Sequence, residues 1–260
     1  NNGGFAWTPL NNDLQVTQFY AMAVDHSQKN RNYGGTQDNG TLGMVPTTSW
    51  NQIYGGDGFD VIVNPKNPKI VWGELYYGRV WKFELLDNGN AKTTSLLTET
   101  MDQDTGIWHS PLVWDKANEV IWLGKRGLYQ SSGTYFSSVL KKQTYRFTAI
   151  GINQKLGDII YAGNEAGEVF LTTDYGETWE NVQQNGLINR FVKDIKVSNF
   201  DANVAYVTYS GYGTPHIYKT TNLGQSWSNI SVSLPDAPVN DIEEHPDNPD
   251  ILFVATDVGV

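Results

Sequence analysis

The chain contains no cysteine. Disulfides, thiolate metal sites and cysteine nucleophiles are therefore excluded, while the compartment stays open, because many secreted proteins also lack the residue. Basic residues are scarce: 18 Lys and Arg face 28 Asp and Glu, for a net charge of −10. Binding to nucleic acid is disfavoured, since neutralising phosphates calls for a basic face. A neutral glycan, a cation or a basic protein patch is compatible with this balance. No apolar run approaches the roughly 20 residues of a membrane-spanning helix. The opening residues, NNGGFAWTPL, lack both a charged start and an apolar stretch. They do not read as a signal peptide, and the chain begins as though cut from something longer. Helix-length amphipathic stretches with caps are missing as well.

What is abundant is glycine and aromatic residues: 26 Gly, 9 Trp and 14 Tyr in 260 residues. Many turns with many aromatics suggest an all-β protein large enough for a sizeable core. The eight residues TTDYGETW at 172–179 recur as TTNLGQSW at 220–227. Around them runs a longer repeat, a short strand-like run, a polar break, then a second apolar run ending near Gly. Taking Val24, Val63, Trp114, Ile152, Val197 and Glu244 as equivalent gives spacings of 39, 51, 38, 45 and 47. Met22/Val24, Val61/Val63, Leu112/Trp114 and Ile150/Ile152 alternate with other residues at period two. Breaks such as NPKNP and HPDNP are turn chemistry.

A four-stranded unit of about 45 residues is a β-propeller blade. The expectation is one all-β domain over 1–260, with blades near 18–55, 56–100, 105–140, 145–185, 190–232 and 238–260 plus 1–10. The alternative is an excerpt of a seven- or eight-bladed parent. A β-sandwich competes, but gives no reason for the period. Aligning Gly167 with Gly259 and Asp174 with Asn2 leaves four residues missing between Val260 and Asn1, so the last blade is expected to take a strand from residues 6–10. The repeated phrase then joins the third strand of a blade to its fourth. Asp174 can accept hydrogen bonds from turn N–H groups, Gly176 can supply left-handed backbone, and Trp179 can pack on the blade.

At these residues the sequence resembles the Asp-box, or BNR, repeat, Ser/Thr-x-Asp-x-Gly-x-Thr-Trp. Thr172, Asp174, Gly176, Thr178 and Trp179 match it fully. Thr220, Asn222, Gly224, Ser226 and Trp227 match with Asn for Asp and Ser for Thr, and Asn2, Gly4 and Trp7 form a partial third copy. DNGNAKT at 87–93 and SSGTYF at 131–136 read as remnants. GGTQDNGT at 34–41 and GGDGFDVIVNPKNP at 55–68 resemble segments of secreted bacterial BNR-repeat proteins, glycosyl-hydrolase-like or sortilin-like. The resemblance implies a propeller and an extracellular or cell-surface setting, but one fold hosts many functions.

In a propeller the fourth-to-first and second-to-third strand loops share the face around the channel. The Asp boxes fall on the other face, which gives them a structural role. The loop face supplies the candidate ligand residues Gln37, Asp38, Asn39, Asp57, Asp60, Trp108, His109, Arg126 and Arg190. Aromatic faces with planar polar groups suit sugars. Gln37, Asp38 and Asn39 are candidates for a hydroxyl-rich ligand or calcium; the plainer alternative is a turn whose side chains bond their own backbone. Asp57, Asp102 and Asp104 invite calcium too, but no EF-hand spacing is present. Asp60, Asp194 and Asp241 share a register in three first strands, as a carboxylate ring or as caps between blades. His109 is a candidate base or ligand contact, or a hydrogen-bonded structural histidine. His216 shows no partner in the sequence.

Three functions remain. The first is a secreted module recognising a glycan or protein, favoured by the repeats and the lack of catalytic signatures. The second is a xyloglucanase-like or sialidase-like glycosidase, with Asp38, Asp57 and Asp60 as first candidates for a carboxylate pair. Against it, no Arg-Ile-Pro motif is present, and five arginines leave few for a carboxylate-binding triad. The third is an assembly scaffold. No resident cofactor is expected.

Overall fold

A computed structural model describes residues 5–6, 17–28, 30–45, 49–101 and 104–260, with the side chain of Thr100 left out. Among the described residues the strands form six antiparallel sheets, each a meander in chain order. The first holds β1 (Phe19–Val24), β2 (Asn32–Thr36), β3 (Gly40–Met44) and β4 (Trp50–Tyr54). The second holds β5 (Gly58–Val63), β6 (Ile70–Leu75), β7 (Arg79–Leu85) and β8 (Ala91–Leu96). The third holds β9 (Leu112–Asp115), β10 (Val120–Gly124), β11 (Leu128–Ser131) and β12 (Ser137–Leu140). The fourth holds β13 (Phe147–Ile152), β14 (Ile160–Asn164), β15 (Val169–Thr172) and β16 (Glu180–Asn181). The fifth holds β17 (Val192–Val197), β18 (Ala205–Tyr209), β19 (Ile217–Thr220) and β20 (Ser228–Asn229). The sixth is the pair β21 (Val239–His245) and β22 (Asn248–Thr256). Helical structure among the described residues is limited to two 3₁₀ turns, at Glu99–Met101 and Gln183–Asn185.

This is a β-propeller, and its cores lie between neighbouring sheets. Trp122, Leu128, Phe147, Ile150 and Ile160 pack where the third sheet meets the fourth. Tyr161, Leu171, Val192, Ile195, Val207 and Trp227 do the same between the fourth and fifth. The first strands show why period-two reading is incomplete here. Ile150 and Ile152 alternate as expected, yet every residue of β13 is buried. β13 packs against β9 and β10 on one side and against β17 on the other, so neither face meets water.

Glycines let these blades approach. A Cβ on Gly35 in β2 would sit 1.9 Å from the backbone oxygen of Phe59 in β5. Gly35 of GGTQDNGT therefore marks blade-to-blade contact, while a Cβ on Gly34 would meet Phe19 within its own sheet.

Both intact Asp boxes form one hydrogen-bonded turn. In the first, the Thr172 hydroxyl donates to Asp174 Oδ1 at 2.6 Å and accepts from the Gly176 N–H at 2.9 Å. Asp174 also accepts from the Thr178 N–H and hydroxyl, at 2.9 and 2.5 Å, and the Trp179 indole N–H donates to the Gly176 carbonyl. Gly176 has φ +91°. In the second, Thr220 donates to Asn222 Oδ1, which accepts from the Ser226 N–H, while the Asn222 amide donates to Ser226 Oγ. The Asn/Ser exchange keeps the turn by replacing a hydroxyl donor with an amide donor. In the SSGTYF segment, Ser131 Oγ accepts from the Gly133 N–H at 2.9 Å, between β11 and β12. Asn2, Gly4 and Trp7, and most of the segment expected to complete the last blade, lie outside the described residues.

Candidate functional site

The loops joining β2 to β3, β4 to β5, β6 to β7 and β8 to β9 are tied together on one face. Asp57 Oδ1 accepts from the Asp38 N–H at 2.9 Å. The Tyr77 N–H donates to the Trp108 carbonyl, and the Gly106 N–H to the Tyr77 carbonyl, both at 3.2 Å. Tyr77 has φ +66°, a left-handed conformation that an aromatic residue adopts only when its surroundings hold it there.

Aromatic rings spread across these loops. Tyr76 stacks on Trp108 with ring centres 5.5 Å apart and planes 12° apart. Tyr77 meets Trp108 edge-on at 5.4 Å, and so does Phe59 at 5.7 Å. Tyr54 and Trp81 lie 4.7 Å apart beside them. Trp108 is 45% exposed and Tyr77 46%, so the cluster presents ring surface to solvent. Next to it, Tyr54, Gly55, Gly56, Leu75, Tyr76, Arg79 and Trp81 line an open cleft of about 390 Å³. Of the aromatic cluster, Trp108 stood out in the sequence. Tyr54, Tyr76 and Trp81 did not, because each sits beside or within a strand and reads as ordinary packing.

His109 stacks on Phe59 at 5.0 Å and places Nε2 3.1 Å from Asp60 Oδ1. The other Asp60 oxygen accepts from the Leu112 N–H at 3.0 Å, which joins β5 to β9. Asp194 repeats this bond between the fifth and sixth sheets, accepting from the Ile242 N–H at 3.2 Å. One residue before that register, the Thr148 hydroxyl in β13 donates to the Val192 carbonyl in β17 at 2.6 Å, a further link between neighbouring first strands. The register shared by Asp60 and Asp194 therefore stitches first strands together. Desolvation, and then neighbouring Asp241, holds the Asp194 carboxyl above the usual carboxylate range.

Glu74, in β6, was not singled out in the sequence. It is fully buried, and its Oε1 accepts from the Gly78 and Ser110 N–H groups at 3.0 and 3.3 Å. Burial, and then the charge of Asp60, pushes its carboxyl well above the usual range. It pins the 76–78 turn to the segment carrying Trp108 and His109.

The remaining candidates are spread widely. The Asn39 amide donates to Thr17 Oγ1 and to the Gln37 carbonyl, at 3.0 and 3.2 Å. Gln37–Asn39 forms a turn in which Asp38 has φ +61°. Asp104 accepts from the N–H groups of Arg126 and Gly127 and the hydroxyl of Tyr129, so its oxygens hold the 126–129 segment. Arg126 donates to the carbonyls of Gln143 and Thr144, and Arg190 reaches that of Tyr212 at 3.5 Å. Asp102 lies outside the described residues. His216 does have a partner: it is buried, with Nε2 3.1 Å from Asp236 Oδ1. Sequence distance hid that pair. Among the described residues, no three His, Asp or Glu side chains converge as metal ligands.

Residues 167–258 match the family profile Sortilin-Vps10, described as sortilin, neurotensin receptor 3. No curated protein sequence matches the chain. Among solved structures, the GH74 xyloglucanase of Xanthomonas campestris superposes with a TM-score of 0.67 at 14% identity. The match covers 92% of this chain and 42% of the xyloglucanase, so the chain spans less than half of that enzyme. YCF48 from Cyanidioschyzon merolae superposes with a TM-score of 0.58 at 11% identity, covering 92% of each chain. A structure of YCF48 bound to D1 peptide gives 0.62 at 15%, covering 99% of this chain and 82% of that one. At these identities the likeness shows the fold alone.

Proposed function

We propose, for a chain that is a BNR/sortilin-like β-propeller, that it is a recognition module whose ligand is a glycan held on the loop face. The observation that carries this reading is the aromatic surface of Trp108, Tyr76 and Tyr77 beside the cleft lined by Tyr54 and Trp81. Flat exposed rings next to polar groups suit the C–H faces and hydroxyls of sugars. The strained Tyr77 and the buried Glu74 fix that surface in advance, which lowers the entropy lost on binding.

Two of the rim carboxylates offered for hydrolysis spend oxygens on the scaffold, Asp57 on the Asp38 N–H and Asp60 on the Leu112 N–H. That favours binding over cleavage. A secreted or cell-surface setting belongs to the proposal and rests on the resemblance. A protein ligand is the second reading, favoured by the likeness in fold to YCF48, one structure of which holds D1 peptide.

A glycan-array screen of the 260-residue chain, with released sugar assayed in the same samples, tests this reading. Binding without release, lost in Trp108→Ala, is the expected result. Release abolished by substituting Asp57 or Asp60 would replace the module with an enzyme. Silence on every glycan would sink the glycan reading.

A further inference from the structure

The cleft beside Trp108 carries a charge signal that the glycan reading does not use. Arg79 opens β7 and is exposed at the cleft wall. The other four arginines are engaged. Arg31 lies against Asp25, Arg126 and Arg190 donate to backbone carbonyls, and Arg146 grips both oxygens of Glu165. The Arg79 guanidinium makes no hydrogen bond or ion pair with any described residue, although its backbone pairs with Leu75. The chain carries ten more acids than bases, so counter-ions are plentiful, yet no described carboxylate pairs with this guanidinium. The exposed Gly55 and Gly56 line the same cleft and donate their N–H groups to no described backbone carbonyl, and Gly56 has φ +98°.

An unpaired guanidinium and glycine backbone in one cleft with aromatic walls make a site complementary to an anion on a flat apolar body. Tyr54, Tyr76 and Trp81 supply the walls. A uronic-acid residue has that shape: its ring stacks by C–H faces, while its carboxylate projects from the ring edge within reach of a guanidinium. We propose that this cleft is a subsite for a carboxylate-bearing sugar within a glycan. The proposal rests on the glycan reading above and narrows its ligand class.

Calorimetry on the full 260-residue chain tests it, with oligogalacturonate and oligoglucuronate as probes and the same oligosaccharides after reduction of carboxylate to alcohol as controls. The acidic forms are expected to bind at least about tenfold tighter than the reduced forms, the scale of one charged hydrogen-bonded contact. Arg79→Gln removes that ratio without weakening the reduced forms, Arg79→Lys restores part of it, and the melting temperatures of both variants stay close to that of the parent. Equal binding of acidic and reduced forms, with array glycans still bound through Trp108, overturns the acidic subsite and leaves the glycan module standing. Failure of every saccharide overturns both. Binding of peptides alone, through their C-terminal carboxylates, overturns the saccharide occupant and favours a protein ligand.

Discussion

Replacing Glu74 by Gln changes how stability depends on pH. Glu74 is fully buried, and its folded carboxyl lies well above the ordinary value of 4.5. The folded protein thus binds this proton where the unfolded chain has released it. Stability contributed by the group is full below about 4.5 and declines as pH rises toward the folded value, by up to about 1.4 kcal/mol per pH unit. Gln keeps a carbonyl to accept from the Gly78 and Ser110 N–H groups but has no proton to lose. Near pH 5 the two proteins should differ by less than about 1 kcal/mol. As pH rises the parent falls relative to Glu74→Gln, with a difference that grows by up to about 1.4 kcal/mol per unit until the folded carboxyl ionises. Asp194 is raised too, but it is present in both proteins and cancels in the comparison. Urea unfolding at several pH values between about 5 and 8 measures the difference. Parallel curves would show that Glu74 ionises normally and refute the reasoning. Glu74→Ala is the harsher control: two buried N–H groups lose their acceptor, at about 1–3 kcal/mol each.

Gly35→Ala should destabilise by about 1–3 kcal/mol or more, because its Cβ would meet the Phe59 backbone oxygen at 1.9 Å; an unchanged melting temperature would contradict the close packing of β2 on β5. Asp174→Ala should speed amide exchange at Gly176 and Thr178 while leaving the matching amides of the second Asp box unchanged. The Thr172 and Thr178 hydroxyls hold the Asp174 carboxyl down at about 2 against an ordinary 3.8. Its contribution is therefore full above about 3.8 and is lost as pH falls through about 2, so exchange at that turn should show an acid-side transition absent from the Ala variant.

Much of the architecture was legible in the sequence because it is periodic. Repeated turn residues at 172–179 and 220–227 build the same turn, with the hydroxyl donor of the first replaced by an amide donor in the second, and the spacing between blades follows from four short strands. The site was less legible because its parts come from loops far apart in the chain. Trp108 was visible in an Asp-rich approach to a strand, whereas its stacking partner Tyr76 lies 32 positions earlier, at the end of an apolar run. Glu74, within VWGELYY, was not singled out, because its burial and its bonds to Gly78 and Ser110 bring together positions as far as 36 apart. Arg79 became informative only once the other four arginines were seen to be engaged. Of the carboxylates, Asp60 and Asp194 were recognised as sharing a register, but only the structure shows their bonds to the next first strand.

Indole N–H chemical shifts, followed by NMR as an array-selected glycan is titrated in, test the central claim most directly. The Trp108 resonance, on the loop face, is expected to move with saturation, while those of Trp179 and Trp227, in the Asp-box turns on the other face, stay in place. Movement of Trp179 or Trp227 with Trp108 unaffected would put the ligand on the opposite face and contradict the account.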